Sequence, residues 1–94
     1  MLIAIDYDDT FTLDKEGWFE TIVNMGRRGH RFVVATSRRD TYENRLEACA
    51  QFPAGVQAIC CSHNAKAEHL KKLGIVPDVW IDDNPWSIVG EDKP

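Results

Sequence analysis

Four short apolar runs alternate along the chain with three stretches of helical spacing, and this order restricts the fold more than any other feature. The apolar runs cover residues 2–5, 31–36, 56–61 and 79–81. The first has no polar alternation, as is typical of a central parallel strand that is covered on both faces. Strands that alternate with helices favour right-handed crossovers. The sequence therefore predicts one Rossmann-like α/β domain of three layers over residues 1–94, with a mostly parallel sheet in the order 4-1-2-3.

Residues that start or stop helices bound the helical stretches. The first covers about residues 14–28 and ends at Gly29. The second is expected to begin at Asp40, three residues before Glu43 in a variant capping box. Its predicted apolar stripe consists of Leu46, Cys49 and Ala50. Ser62 or Asn64 is expected to cap the third, which stops at Gly74. One more turn of helix is predicted at residues 86–89, before a frayed acidic tail.

Size and composition limit the classes of function. A chain of 94 residues is long enough for one core and too short for two. The formal net charge of −4 argues against sequence-independent binding to nucleic acid, although Arg38, Arg39 and Arg45 form a local basic cluster. No apolar stretch approaches the roughly 20 residues that cross a bilayer. Three cysteines, two of them adjacent, suit a reducing compartment better than a disulfide framework. We expect a cytoplasmic protein with no membrane partner.

Polar residues follow three of the predicted strands at the point where each ends. Asp6 comes directly after the first strand, Thr36 ends the second, and the pair Asp82 and Asp83 follows the fourth. In open parallel sheets, ligands bind beyond the carboxyl ends of the strands. Clustered carboxylates repel one another unless a cation lies among them, and Mg²⁺ prefers such oxygen ligands. The sequence predicts a Mg²⁺ site with room for a phosphorylated substrate.

The stretch "DYDDT" at the end of the first strand resembles the DxDxT motif of the haloacid dehalogenase-like superfamily of aspartate-dependent phosphohydrolases. The family's other motifs follow in order along residues 2–86. Thr36 occupies the place of motif II, Lys66 that of motif III, and "WIDDNP" supplies the acidic pair of motif IV. The resemblance implies a Mg²⁺-dependent phosphomonoester phosphatase that works through an aspartyl-phosphate.

The resemblance also implies a role for each matching residue. Asp6 would be the nucleophile, and Asp8 would protonate the leaving oxygen and then activate water. Thr36 would donate a hydrogen bond to the phosphoryl oxygens, and Lys66 would neutralise charge on the nucleophile and the transferred group. Thr10, the last position of the first motif, is expected to contact the substrate.

The resemblance further implies a metal site made of Asp6, the backbone carbonyl of Asp8, and the acids of motif IV. Asp83 is the expected direct ligand, and Asp82 would support it or act through water. Lys66 lies only 16 residues before Asp82, so Lys71 and Lys72 are alternatives for motif III.

Motif II departs from many relatives because Thr36 is followed by Ser37 and Arg38. Ser37 is therefore expected to share the phosphate contact, and Arg38 would either engage a second anionic group or serve as a solvated helix-entry residue. Phe11 and Trp86 flank the predicted site and would either stack on a substrate ring or cover the core.

The chain has no insertion long enough for a cap domain, which in larger relatives closes over small substrates. An open site suggests a bulky substrate, such as the phosphorylated end of a nucleic acid or a protein, or closure by a second subunit of a homo-oligomer. Cys60, Cys61 and His63 are not expected to bind zinc, because adjacent cysteines have poor geometry for one ion. Strand alternation is expected to bury one of these cysteines and turn the other outward or toward the site.

Two other functions remain as alternatives. One is a non-catalytic module that binds phosphate or metal. The other is a phospho-acceptor domain that resembles response-regulator receivers, but its acceptor Asp would lie on the third strand. Here the third strand ends in Cys60 and Cys61, which argues against it.

Overall fold

A four-stranded parallel sheet forms the centre of the molecule in the computed structural model, which describes residues 1–91. The strands are β1 (Leu2–Ile5), β2 (Arg31–Thr36), β3 (Gln57–Cys60) and β4 (Val79–Ile81). Their order is β3-β2-β1-β4, so the predicted order 4-1-2-3 is confirmed when the sheet is read from its other edge. Residues 92–94, which carry the end of the predicted acidic tail, lie outside the described residues.

Helices lie between and after the strands. They are α1 (Lys15–Arg27), α2 (Tyr42–Ala50), α3 (Lys66–Lys72) and the single turn α4 (Trp86–Val89), with a short 3₁₀ helix at Phe11–Leu13. Asp14 caps α1, because its carboxylate accepts a hydrogen bond of 3.0 Å from the backbone N–H of Gly17. The predicted α/β fold class is therefore confirmed.

The two central strands, β1 and β2, are buried on both faces, as their apolar sequences predict, whereas the edge strands β3 and β4 are partly exposed. Ile3 and Ile5 point to one face of β1 and pack with residues of α1 and α2, including Ile22 and Ala48. Ala4 points to the opposite face, where a second cluster contains Leu70 of α3. One layer of the domain thus holds α1 and α2, and the other holds α3.

The structure corrects the expected start and apolar stripe of α2. Thr41, not Asp40, is its N-cap, and the Thr41 hydroxyl accepts a hydrogen bond from the backbone N–H of Asn44. Asp40 instead forms an ion pair with Arg45. The predicted stripe of Leu46, Cys49 and Ala50 is exposed. The sheet contacts the helix through Ala48, whose small side chain allows a close approach.

The cap predicted for α3 is also wrong. Ala65 is the N-cap residue of α3 and provides no side-chain hydrogen bond to the helix. Ser62 lies earlier in the loop with φ 55°, and its hydroxyl accepts a hydrogen bond from the backbone N–H of Asp40. The Ser62 side chain therefore joins the loops after β2 and β3 instead of starting a helix.

The order of the strands creates a crevice at the carboxyl ends of β1 and β4. From β1 the chain proceeds through β2 to β3, and α3 then carries it back over the opposite face to β4. The connection after β1 thus leads to one face of the sheet, while α4, after β4, packs with α3 on the other. A crevice of this kind is where open α/β sheets bind ligands.

Gly90 ends α4 and fits closely against the start of α3. Its φ of 77° lies in the left-handed region, and a Cβ added there would lie 2.8 Å from the Cβ of Ala65. Both the backbone conformation and the space favour glycine at this position.

Candidate active site

Three segments that are distant in sequence bring oppositely charged side chains together at the crevice. The Nζ atom of Lys66 lies 2.9 Å from Oδ1 of Asp6 and 2.6 Å from Oδ2 of Asp82. The Lys66 side chain is only 2% exposed, and the side chains of its two partners are also buried. Lys71 and Lys72 lie on the exposed surface of α3. Of the three lysines considered from the sequence, Lys66 is the one that reaches Asp6.

Thr10 joins the loop after β1 to the acidic pair after β4. Its hydroxyl lies 3.3 Å from Oδ2 of Asp6 and 3.1 Å from Oδ1 of Asp83, and it can donate its one proton to either. The hydroxyl also accepts a hydrogen bond of 3.2 Å from the backbone N–H of Asp83. Thr10 is buried, so within residues 1–91 its contacts are to these acids, although the sequence suggested a substrate contact.

The environment of Asp6 weakens its acidity. Burial raises the pKa of Asp6 to about 6, although the hydrogen bond from Lys66 acts in the opposite direction. Burial alone would lower the pKa of Lys66, but its hydrogen bonds to Asp82 and Asp6 outweigh that effect and raise it. Lys66 therefore stays charged, whereas Asp6 keeps its carboxylate form less firmly than an exposed aspartate does.

Asp6, Asp82 and Asp83 form a group that could hold a metal ion. One carboxylate oxygen from each of the three lies within 4.8 Å of the others. Both oxygens of Asp82 are engaged, one by Lys66 and the other by the backbone N–H of Asn84 at 2.9 Å. Asp83 is exposed. The three carboxylates exceed the one lysine among them by two negative charges, and this surplus suits a divalent cation.

The side chains predicted at the end of β2 lie in different environments. Thr36 is buried, and its hydroxyl accepts a hydrogen bond of 3.2 Å from the backbone N–H of Arg38. This bond uses an acceptor site and leaves the hydroxyl proton available for donation. Ser37 is exposed and lines a polar pocket.

Asp8 and Arg38 form a two-point ion pair that the sequence analysis missed. Nε and one terminal nitrogen of Arg38 each lie 2.8 Å from a different oxygen of Asp8. The other terminal nitrogen contacts Glu47 and lies 3.4 Å from Oδ1 of Asn44. The hydrogen bonds from Arg38 lower the pKa of Asp8. The Asp8 carboxylate is therefore held by Arg38, outside the group of acids that could hold a metal.

The Tyr7 ring packs against the Arg38 side of this ion pair. The Arg38 guanidinium lies over the Tyr7 ring, 5.0 Å from its centroid, and Gln51 donates a hydrogen bond to the Tyr7 hydroxyl. Such a cation–π contact adds to the ordering of Arg38. Phe11 lies beneath these groups, fully buried and stacked on Phe52 with 4.1 Å between ring centroids. Phe11 is thus part of the core and does not flank the site as a stacking surface.

The two adjacent cysteines are both buried, which corrects the expectation that one would turn outward. Cys60 ends β3, and Cys61 packs in the second core cluster, where burial raises the pKa of its thiol to about 11. Within residues 1–91 the group with metal-ligand spacing contains neither cysteine. A signal for the burial of both was present, since the two cysteines end the apolar run of residues 56–61.

Comparisons of the chain with protein-family models, curated proteins and solved structures give no match. No helix within residues 1–91 combines the length and the apolar content that crossing a bilayer requires.

Proposed function

We propose that this protein is a phosphomonoester phosphatase of the haloacid dehalogenase-like type, with Asp6 as its nucleophile. The observation that carries the proposal is the convergence of Asp6, Lys66 and Asp82 through bonds of 2.9 and 2.6 Å. Folding alone does not require a buried lysine between two carboxylates, beside a third acid, at the kind of crevice where such sheets bind ligands. Buried ion pairs contribute little stability compared with apolar residues of similar volume.

Asp6 would attack phosphorus with a carboxylate oxygen, while the bond from phosphorus to the leaving oxygen breaks. The product is an aspartyl-phosphate, which water then hydrolyses to release inorganic phosphate and restore Asp6. Lys66 would hold Asp6 in position and offset negative charge on the transferred group. Thr36 has a hydroxyl proton to donate to a phosphoryl oxygen.

Mg²⁺ is the cation that the carboxylate donors fit best, because it takes oxygen ligands and is commonly shared with substrate phosphates. Asp6 and Asp83 would hold it, with Asp82 in support, and the backbone carbonyl of Asp8 would complete the protein ligands. When bound, the ion would offset the charge of the phosphoryl oxygens. The contacts of Asp82 with Lys66 and Asn84 favour Asp83 as the direct ligand.

Asp8 would donate a proton to the leaving oxygen and take one from water in the second step. The contact with Arg38 favours the carboxylate form of Asp8, which suits the second step. The first step requires Asp8 to carry a proton. Arg38 must therefore release Asp8 first, and an incoming phosphoryl dianion offers Arg38 another partner.

Turnover of p-nitrophenyl phosphate in the presence of Mg²⁺ tests the proposal. We expect Mg²⁺-dependent release of phosphate, and a fall of at least about 10³-fold in kcat for Asp6→Asn, because the variant lacks the nucleophile. Mass spectrometry after acid quenching should show one phosphoryl group on the unaltered protein and none on the variant.

Asp9→Asn is the matched control. Asp9 lies in the same loop, is exposed, and has φ 59°, a conformation that asparagine also adopts readily. Its kcat should stay within about twofold of the original. Binding of Mg²⁺ with no turnover of any phosphomonoester would contradict the proposal and favour the non-catalytic module. The buried Cys60 at the end of β3, where a receiver carries its acceptor Asp, gives no support to the receiver alternative.

A further inference from the structure

A small polar pocket opens beside the candidate active site, on the α3 side of the sheet. Its volume is about 220 Å³. Polar and aromatic side chains from two loops and α4 line it: Ser37, Ser62, His63, Asn64, Trp86 and Ser87. We call it the Ser37 pocket. It is distinct from the cluster of three acids, none of which lines it.

The chain places the Ser37 pocket next to the proposed phosphoryl-transfer groups. Ser37 directly follows Thr36, and Ala65, which also lines the pocket, directly precedes Lys66. Hydrogen bonds join its walls, because the backbone N–H of Ser62 donates to the carbonyl of Arg38 at 3.0 Å. A group attached to a phosphoryl bound by Thr36 and Lys66 would therefore have a preformed space beside it.

The lining of the Ser37 pocket suits an uncharged, hydroxyl-rich group. Hydroxyl, amide and imidazole side chains both donate and accept hydrogen bonds, as sugar hydroxyls do. Trp86 adds an apolar ring surface. Among the lining residues no lysine or arginine occurs, and Glu91 is acidic. A second anionic group would therefore meet no fixed positive charge there.

The volume limits how much of a ligand the pocket itself can hold. Pockets for drug-sized ligands usually measure about 300–1,000 Å³. A pocket of about 220 Å³ is smaller than these and has room for one ring. Further linked units of a longer ligand would lie outside the pocket, in solvent.

Two of the three arginines in the basic cluster predicted from the sequence are paired with acids, and Arg38, which the proposed mechanism releases from Asp8, would then bind the transferred phosphoryl group itself. Arg38 contacts Asp8 and Glu47, and Arg45 contacts Asp40. Extended phosphate backbones are held by positive charge that is free to contact them. Of the cluster, Arg39 alone lies outside these ion pairs, which leaves little positive charge for further phosphates and favours a small neutral leaving group over the nucleic-acid end that was one of the bulky substrates suggested by the open site.

We propose that the Ser37 pocket binds the leaving group of the substrate, and that the preferred substrate is the monophosphate of a single sugar ring. This inference rests on the proposed phosphatase function and adds the substrate class to it. Asn64 and His63 contribute hydrogen bonds to the ring hydroxyls, and Trp86 contributes a ring surface.

The test compares two phosphoryl donors in the presence of Mg²⁺: a set of pentose and hexose monophosphates, and acetyl phosphate, which has no ring. The measured quantity is the ratio of kcat/KM for the best sugar phosphate to kcat/KM for acetyl phosphate. We expect the double variant His63→Ala with Asn64→Ala to lower this ratio by about tenfold or more, mainly through KM, because two hydrogen bonds are lost. Asn24→Ala, at an exposed position of α1, is the matched control and should leave the ratio unchanged.

A second measurement needs no variant. The unaltered protein should prefer sugar phosphates over phosphoglycerate, a phosphoserine peptide and a 5′-phosphorylated oligonucleotide, each by about tenfold or more in kcat/KM. Preference for any of these three substrates would overturn the inference, and so would an unchanged ratio in the double variant. In either case, turnover of acetyl phosphate would leave the phosphatase proposal intact. Absence of turnover with every donor would instead overturn the phosphatase proposal, and the inference with it.

Discussion

The two ends of the parallel sheet differ in chemistry although they belong to the same four strands. At the carboxyl end, the charged side chains of Asp6 and Lys66 and the hydroxyl-bearing side chain of Thr36 are buried. At the amino end, an open groove of about 560 Å³ is lined mainly by apolar side chains, among them Ile22 and Phe32. The larger of these two cavities is therefore at the end of the sheet away from the buried Asp6 and Lys66.

This contrast separates residues that support the fold from residues whose presence the fold alone does not explain. Apolar side chains at the amino end stabilise the domain by about 25 cal/mol for each Å² of surface removed from water. At the carboxyl end, buried charges cost free energy that their mutual contacts only partly offset. A domain of 94 residues has little stability to spare, so this cost points to function.

The largest expected effect comes from removing Lys66, the buried cation among residues 1–91 at the carboxyl end. Lys66→Met leaves Asp6 and Asp82 as buried carboxylates without their partner. We expect the free energy of unfolding at pH 7, measured with urea, to fall by about 3–5 kcal/mol. Lys71→Met, on the exposed side of the same helix, should change it by less than about 0.5 kcal/mol. Equal stability of the two variants would remove the contrast between the two ends.

The pH dependence of stability gives the next largest effect. The pKa of Asp6 is about 6 in the folded state and 3.8 as its ordinary value, so the folded state binds the proton more tightly. The contribution of Asp6 is therefore most favourable below pH 3.8 and is lost as the pH rises to about 6. In EDTA, Asp6→Asn should gain stability relative to the original protein by about 2–3 kcal/mol between those pH values. Urea unfolding at pH 4 and pH 7 measures this difference, and a constant difference across the range would contradict it.

Much of the carboxyl end could be predicted because it depends on topology. A buried parallel strand appears in the sequence as an unbroken apolar run, so the residue after each run could be placed at one edge of the sheet. That reasoning brought Asp6 near Asp82, and the structure shows both bonded to Lys66. The roles of these residues in phosphoryl transfer remain predictions.

The features that could not be predicted depend on how helices dock onto the sheet. Arg38 reaches Asp8 and Glu47 because α2 lies over the loop that follows β1. A local pattern does not determine the distance of that approach. The same docking explains why Ala48 is buried while Leu46, the larger residue, is exposed. Helical periodicity identifies a stripe, but the angle between helix and sheet decides which side chains are covered.

The amino end offers the complementary test, with a smaller effect. Ile22 is buried and lines the apolar groove. Ile22→Val removes one methylene, and we expect a loss of about 0.5–1.5 kcal/mol in the free energy of unfolding. The value of kcat/KM for p-nitrophenyl phosphate should stay within about twofold, because the change lies at the end of the sheet opposite to the site. A loss of activity without a loss of stability would show that the two ends are coupled.

The smallest effect concerns Asp8, whose pKa shifts in the direction opposite to that of Asp6, two residues away. The Arg38 contact lowers the pKa of Asp8, so its stabilising contribution is present above pH 3.8 and is lost as the pH falls through the lower folded value. Both partners are partly exposed, with side-chain exposures of 28% and 46%, so solvent screening limits the contribution. Arg38→Met should therefore lower the free energy of unfolding by no more than about 1 kcal/mol at pH 7, with a smaller loss at pH 3 and in high salt.

Arg45→Met, which removes a single-point pair with Asp40 at 3.2 Å, is the control and should have less effect than Arg38→Met. Removing Arg38 should leave in place the loss of stability above pH 4 that comes from the titration of Asp6. If Arg38→Met made the stability less sensitive to pH in that range, the opposite signs assigned to Asp6 and Asp8 would be wrong.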